Sequence, residues 1–345
     1  MLAQNAYTPR THYLQTLNRM GWSMLIFIGL FNTTTTFSTT ILAIKDYVTS
    51  PLWNAILTAL YGVLASLCYI APFFLTGLIY YAMSRRIRTE RLSLDLHIPR
   101  EFPLWVFVGL AVLTAAAYIN SQFCTLIGYT VPIDMLTSGA YDSPTVVIQY
   151  MTVAIAPAFA EEFLFRGVFY TNLRPFGRTQ AVLISALLFA LMHQNIGQLF
   201  YTFVAGIAMA LMFEMTGSIW CSVVFHLINN ELSVLSEVLY YGRYGEAAEP
   251  YLSILDAVVF LLGIFGMILL VLYYKKQAAA RAATRVCGIY GRGTGSIGRC
   301  ERSVDAKTVT KGMLTPGMVI FTVTTVALMG ITWIFLALMN GGLPG

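Results

Sequence analysis

Six polar side chains interrupt the apolar stretches in the middle of the chain. In chain order they are Glu161, Glu162, Arg166, His193, His226 and Asn230. A charged side chain at the centre of a bilayer costs roughly 2.5 to 3.5 kcal/mol on insertion scales, so ionisable residues at such depth are candidates for a functional site. Carboxylate and imidazole groups commonly transfer protons, and imidazole and carboxamide donors can stabilise developing negative charge. The residue types therefore predict acid–base chemistry inside a hydrophobic segment.

The spacing assigns different surroundings to the two adjacent glutamates. Glu162 and Arg166 are four residues apart, so on a helix they share a face and can pair. Glu161 is turned about 100° away from Glu162 and keeps its carboxylate for another task. The Glu162–Arg166 pair is equally compatible with a purely structural ion pair, whereas Glu214, near a predicted helix end, is expected to be solvated.

The elements that must position these residues are membrane helices. Of the 345 residues, 57% are hydrophobic and only 11% are charged, whereas soluble domains have about 25% charged residues. The apolar runs are continuous rather than alternating, which favours helices over a barrel. The chain is therefore predicted to be an all-α, polytopic transmembrane bundle of eight to nine spans. The predicted helices are 21–44, 54–83, 103–129, 144–174, 179–193, 198–215, 217–240, 252–274 and 314–339.

Counting along these helices brings the polar residues to one level. At a rise of 1.5 Å per residue from the predicted cytoplasmic ends, Glu161, His193 and Asn230 lie roughly 20 Å deep and His226 roughly 14 Å deep. Three helices thus present their strongly polar side chains at similar depth. The prediction is one shared pocket, within a core at 144–240 that follows N-terminal helices at 1–143 and precedes C-terminal helices at 241–345.

The distribution of basic residues predicts the orientation. Arginines and lysines are concentrated at 84–102 and 275–312, and such segments are expected on the cytoplasmic side. With the N-terminus also inside, the connections 46–53, 131–143 and 241–250 fall outside. The net charge of +5 is thereby explained by orientation, and no nucleic-acid partner is predicted. Segment 275–312 lacks apolar periodicity and is predicted to be a mobile cytoplasmic loop near anionic lipid.

The cysteines predict neither a disulfide framework nor a zinc knuckle. There are five, an odd number, without C-x-x-C spacing. The polar first 20 residues lead into a full-length apolar segment without a small-residue cleavage site, which is typical of a retained first helix.

Three motifs in order resemble a known family. E-E-x-x-x-R, F-x-x-x-H and H-x-x-x-N occur here as Glu161, Glu162 and Arg166, then Phe189 and His193, then His226 and Asn230. At these residues, and at 216–220, the chain resembles the CAAX-protease and bacteriocin-processing family of intramembrane peptidases, which includes type II CAAX prenyl endopeptidases. The resemblance covers roughly 145–240, and the flanking helices lie outside it.

The resemblance implies a mechanism and a substrate class. Glu161 and His193 would activate a water, His226 and Asn230 would stabilise the oxyanion, and Glu162 with Arg166 would support the geometry. The substrate would be a membrane-associated peptide or lipidated protein, such as a prenylated CAAX tail or a peptide undergoing maturation, and bacteriocin immunity is a further possible role. The cleavage cavity is expected to open toward the cytoplasm, in the plasma membrane of a prokaryote.

Three alternatives remain open from the sequence. Two histidines and a glutamate can bind zinc with one open position, but Asn230 is a poor zinc ligand and H-E-x-x-H is missing. The prediction is therefore a peptidase without a metal or other cofactor, with the zinc enzyme as alternative. A transporter could use the same residues as a proton relay, although no inverted repeat is found. A scaffold with an inactive site is disfavoured because every motif residue is present.

Overall fold

The computed structural model describes residues 8–45, 47–85, 94, 96–129, 146–148, 150–286 and 304–339. Within these ranges the regular structure is helical and contains no strand, which confirms the all-α prediction. The helices are α1 (Pro9–Lys45), α2 (Pro51–Met83), α3 (Phe102–Leu126), α4 (Val146–Phe176), α5 (Arg178–Met192), α6 (Ile196–Thr216), α7 (Ile219–Glu237), α8 (Glu249–Val286), α9 (Ala306–Met313) and α10 (Pro316–Met339).

Each of the nine predicted helices corresponds to one of these elements, and α9 is additional. Seven helices in the described part of the chain are long and apolar enough to cross a membrane: α1, α2, α3, α4, α6, α8 and α10. Helix α5 is apolar but has only 15 residues. Helix α7 has 19 residues and is not among the seven, because His226, Asn229 and Asn230 lower its hydropathy. The predicted count of eight to nine spans therefore depends on α5 and α7.

The predicted cytoplasmic loop 275–312 is helical at both ends. Helix α8 continues to Val286, through Lys275 and Lys276, and α9 occupies Ala306–Met313 with its first turn capped by Asp305, whose carboxylate accepts from the Thr308 amide at 3.1 Å. Residues 287–303, and the predicted outer connection 131–143, lie outside the described residues.

Helix α1 begins earlier than predicted, at Pro9 rather than residue 21. Its early turns pack against protein: Tyr13 is fully buried, and its ring lies 5.2 Å from that of Phe176 at the end of α4. Further along, α1 crosses α10 where Gly21 of α1 meets Gly317 of α10. A Cβ on Gly21 would lie 2.2 Å from the Gly317 carbonyl carbon. Small residues allow membrane helices this close an approach.

A second close crossing brings α5 and α6 together beside the polar residues. A Cβ on Gly206 of α6 would lie 2.9 Å from the Ala186 Cα of α5. The absence of a side chain at Gly206 therefore brings the α6 backbone close to α5. Helix α4 also packs against α2 and α7, so it is surrounded by the elements that carry the candidate site residues.

Helix α4 is not a regular α-helix. Residues Ala156–Glu162 are α-helical, but Tyr150–Ile155 before them and Phe163–Tyr170 after them form wider π-helical turns. Wide turns of this kind occur frequently at functional sites. Glu161 and Glu162 are the last two residues before such a change of helical repeat, and the sequence pattern did not reveal it.

Candidate active site

Glu162 is the centre of a buried polar cluster. Its side chain is fully buried, and Oε1 accepts hydrogen bonds from Arg166 Nη1 at 2.8 Å and from His226 Nδ1 at 3.0 Å. The Ser222 hydroxyl donates to Oε2. One carboxylate of α4 therefore binds an adjacent arginine and two donors of α7. The predicted Glu162–Arg166 pair is confirmed, while Ser222 was not predicted.

Arg166 connects this cluster to α5 and α6. Its Nη2 donates to the Gly206 carbonyl oxygen at 2.9 Å, and its guanidinium carbon lies 4.7 Å from the centre of the Phe189 ring. A guanidinium over an aromatic face is stabilised by cation–π attraction. Arg166 is completely buried, so these contacts and Glu162 replace the water that its charge would otherwise bind.

His226 lies between the two glutamates and is only 3% exposed. Its Nδ1 contacts Glu162, and its Nε2 lies 3.9 Å from Glu161 Oε2. An ionised carboxylate only accepts hydrogen bonds, so Nδ1 must carry the proton in the contact with Glu162. Nε2 is then the ring nitrogen directed toward Glu161.

The two carboxylate oxygens of Glu161 differ in their hydrogen bonding. Oε1 accepts a hydrogen bond from the Tyr69 hydroxyl of α2, whereas Oε2 is buried without a hydrogen-bond partner among the described residues. The residue is 2% exposed. The expectation that Glu161 keeps its carboxylate for another task is thus supported for one oxygen. Tyr69 was missed, because a tyrosine in an apolar helix is typical of ordinary packing.

His193 ends α5 in a defined ring orientation. Its Nδ1 donates to the Phe189 carbonyl oxygen at 2.8 Å, and in the neutral ring Nε2 is then the acceptor nitrogen. His193 interacts electrostatically with Glu161 and with His226. The Phe189 ring lies 5.0 Å from the His193 ring and 6.0 Å from the His226 ring, centre to centre. One phenylalanine ring therefore contacts both predicted histidines.

The backbone directly after His193 is held by α1. Gln194 has φ of 51°, a left-handed conformation that non-glycine residues rarely adopt. Its side-chain amide forms a reciprocal pair with that of Asn32, with N–O distances of 3.0 and 3.2 Å. This pair fixes the turn that follows His193.

Asn230 is linked to α4 and to its neighbour. Its Nδ2 donates to the Val153 carbonyl oxygen at 3.0 Å, and its Oδ1 accepts from Asn229 Nδ2 at 3.2 Å. The bond to Val153 uses one of its two amide hydrogens. Asn229 also accepts from the Tyr201 hydroxyl of α6 at 2.9 Å, so it links α7 to α6.

The structure thus brings Glu161, Glu162, Arg166 and His226 into one contiguous cluster. His193 and Asn230 border it, but neither is hydrogen-bonded to Glu161 in the part of the chain that the structure describes. Among the described residues, no group of three or more His, Cys, Asp or Glu side chains is arranged as a metal site. The arrangement can accept a proton at Glu161 Oε2 and offers imidazole and carboxamide groups nearby.

Glu214 corrects one expectation. It was expected to be solvated, but it is 4% exposed. Its carboxylate accepts from Arg174 at 2.6 and 2.7 Å, from Arg178 at 2.5 Å and from the Tyr170 hydroxyl. The cluster joins the end of α6 to the end of α4 and the start of α5. The position of Glu214 near a helix end did not indicate that its carboxylate would be buried.

Two cavities border the helices of the site. One, of about 530 Å³, has an apolar lining on α3, α5 and α6 that includes Ala190 and Leu191, close to His193. The other, of about 1360 Å³, lies among α3, α6, α7 and α8 and reaches Tyr201 and Asn229. It is lined partly by polar side chains, including Ser233, Ser236 and Asp256.

The region of the chain that contains these residues is similar to a known protein family. Residues 143–232 match the family model of Type II CAAX prenyl endopeptidase Rce1-like proteins. No curated protein and no solved structure matches the chain. The match includes all six predicted site residues and confirms the family resemblance. Together with the long apolar helices, it indicates an integral membrane protein with a region that is similar to an intramembrane protease family.

Proposed function

Starting from the type II CAAX prenyl endopeptidase-like domain at 143–232, we propose that the protein is an endopeptidase that hydrolyses a peptide bond at the Glu161 cluster. The substrate is a membrane-associated peptide or lipidated protein. The observation that carries this proposal is the buried Glu161 carboxylate, whose Oε2 has no hydrogen-bond partner among the described residues and faces His226.

Glu161 Oε2 is suited to accept a proton from water. Because Oε1 is bonded to Tyr69, Oε2 is the oxygen available to a new donor. His193 supports the same step, since its Nδ1 is bonded to the Phe189 carbonyl and its Nε2 can accept a hydrogen bond from that water. The resulting hydroxide attacks the peptide carbonyl carbon, and the protonated base then protonates the leaving amine.

Asn230 and His226 are the donors for the oxyanion that forms. Asn230 has a second amide hydrogen besides the one bonded to Val153. His226 can donate from Nε2 only when the ring carries both protons, since Nδ1 donates to Glu162. Loss of one such donor typically reduces the rate about 100- to 1000-fold.

The surroundings of the site support an apolar or lipid-modified substrate. The cavity of about 530 Å³ beside α5 has an almost entirely apolar lining, and apolar cavities of a few hundred Å³ are typical of small-molecule sites. An apolar side chain or a lipid group attached to the peptide would fit such surroundings. The remainder of the peptide would extend toward the cytoplasmic side.

We further propose that hydrolysis needs no metal. The chemistry above uses only Glu161, His193, His226 and Asn230, and Asn230 is a donor group rather than a favoured zinc ligand. The zinc enzyme predicts loss of activity on exhaustive chelation and stoichiometric metal in elemental analysis. The metal-free enzyme predicts full activity after chelation.

The decisive experiment is cleavage of defined peptides by the detergent-solubilised protein. A library of prenylated and unmodified membrane peptides is incubated with wild type, Glu161→Gln and His193→Ala, and new termini are identified by mass spectrometry. Both variants are expected to lose at least 1000-fold in kcat/KM, as typical for loss of catalytic groups. Glu231→Gln, an exposed acid of α7, is the matched control and should cleave like wild type. Equal cleavage by Glu161→Gln and wild type would refute the proposal.

A further inference from the structure

Glu161 receives a hydrogen bond from a helix outside the matched family region. The Tyr69 hydroxyl of α2 donates to Glu161 Oε1, across 92 positions of sequence. It is the one hydrogen bond of this carboxylate within the described parts of the chain. Oε2, on the other side of the carboxylate, lies 3.9 Å from His226 Nε2. The bond from Tyr69 therefore makes the two oxygens inequivalent.

The Tyr69 ring is held in a defined position. Phe31 of α1 packs against it edge to face at 5.4 Å between ring centres, and Phe73, one turn further along α2, lies 5.3 Å away. Phe27 of α1 contacts Phe73 at 4.8 Å. This aromatic cluster joins α1 to α2, so the direction from which the hydroxyl approaches Glu161 is determined by packing.

The same helix is docked tightly on α4 beyond the glutamate. A Cβ on Gly77 would lie 2.9 Å from Phe163 Cε1, and the rings of Phe74 and Phe163 stack at 4.4 Å. Phe163 follows Glu162 directly in the chain. Because α2 contacts α4 so close to Glu161, the position of Tyr69 relative to that carboxylate is fixed.

We propose that Tyr69 is a positioning residue that holds the Glu161 carboxylate with Oε2 directed to the reacting water, so that α2 forms part of the active site. This inference rests on the proposed function. A carboxylate without the bond could rotate about its terminal torsion and exchange its two oxygens. The phenol removes that freedom by binding one of the two oxygens. The domain at 143–232 is therefore incomplete without the preceding helices.

The test is Tyr69→Phe, which removes the hydroxyl and retains the ring. We expect kcat to fall roughly 10- to 100-fold, the effect of losing a hydrogen bond to a charged group, with KM nearly unchanged. A merely structural role would instead lower the unfolding temperature and change KM together with kcat.

Tyr80→Phe is the matched control. Tyr80 is a buried tyrosine of the same helix, and its ring packs on Phe169 at 5.8 Å. It lies 11 residues from Tyr69, about 16 Å further along the helix axis. Tyr80→Phe should retain the wild-type kcat and KM, and both variants should unfold at similar temperatures.

A second measurement tests the contact without turnover. With 3-fluorotyrosine at position 69, the ¹⁹F resonance should shift on Glu161→Gln and stay unchanged on Glu231→Gln. An unshifted resonance overturns the proposal. A Tyr69→Phe enzyme with wild-type kcat, measured where Glu161→Gln is inactive, also overturns it. In both cases the peptidase function stands. If the wild-type protein cleaves no peptide, the proposed function fails and the positioning role fails with it, whatever the resonance shows.

Discussion

At the scale of single residues, adjacent glutamates of one helix have different surroundings. Glu162 accepts from Arg166, His226 and Ser222, whereas Glu161 accepts from Tyr69 alone among the residues described. A buried charge is tolerated when partners replace its lost hydration. Glu162 meets this condition and supports the architecture, while Glu161 retains an oxygen available for chemistry.

This difference predicts opposite effects of two equivalent substitutions. Glu162→Gln leaves the buried Arg166 guanidinium without a counter-charge, so we expect it to destabilise the protein by about 3 to 5 kcal/mol. Glu161→Gln keeps an acceptor for Tyr69 and should unfold within a few degrees of wild type, although it is inactive. Thermal unfolding of both variants in the same detergent measures the difference. Equal destabilisation by the two substitutions would contradict the division of roles.

The Glu214 cluster permits a comparison between two arginines that bind one carboxylate. The Arg174 side chain is 14% exposed and binds through two nitrogens, whereas the Arg178 side chain is 59% exposed. Solvent screens the exposed pair, so Arg178→Gln should cost at most about 1 kcal/mol. Arg174→Gln should cost more, because it leaves a buried carboxylate with fewer donors. Chemical denaturation of the two variants tests this order, and a larger effect of Arg178→Gln would show that exposure does not decide the strength of the pairs.

At the scale of elements, close helix crossings determine which polar groups can meet. Glycine at 206 brings α6 close to α5, and its carbonyl oxygen accepts from Arg166 of α4. The π-helical turns from Phe163 to Tyr170 alter the repeat of α4 directly after the glutamates. These features depend on contacts between helices, and a regular 3.6-residue pattern does not contain them.

The crossing of α1 and α10 supplies a prediction with an internal control. A side chain on Gly21 would collide with the backbone of Gly317, whereas a Cβ on Gly29 of the same helix has nothing within 4 Å. Gly21→Leu should therefore separate α10 from α1 and lower the unfolding temperature, while Gly29→Leu should be tolerated. Thermal unfolding of the two variants in the same detergent measures this difference. Equal unfolding temperatures of Gly21→Leu and Gly29→Leu would exclude the close crossing.

At the scale of the whole molecule, the N-terminal helices are hydrogen-bonded to residues of the matched region. Helix α2 supplies Tyr69 to Glu161, and α1 supplies Asn32 to the turn after His193. Both residues precede the matched region. The division of the chain into helices 1–143, a core 144–240 and helices 241–345 stays a prediction.

The orientation of the bundle remains a prediction with a direct test. In a cysteine-free protein, a cysteine at Tyr47, between α1 and α2, should react with an impermeant maleimide in intact cells. A cysteine at Arg85, after α2, should react only after permeabilisation, because basic segments are retained on the cytoplasmic side. The reverse labelling pattern would invert the topology and place the basic segments outside.

The sequence by itself determined the helical membrane architecture and the positions of the candidate site residues along the chain. Continuous apolar runs require helices, since a lipid-exposed backbone must satisfy its own hydrogen bonds, and local spacing was sufficient to pair Glu162 with Arg166. Only the tertiary structure decided that Tyr69 binds Glu161, that Ser222 binds Glu162 and that Glu214 is buried by arginines. Those contacts join residues 92, 60 and 40 positions apart. They depend on how closely helices cross and on how each is rotated, which the periodicity of a single segment does not specify.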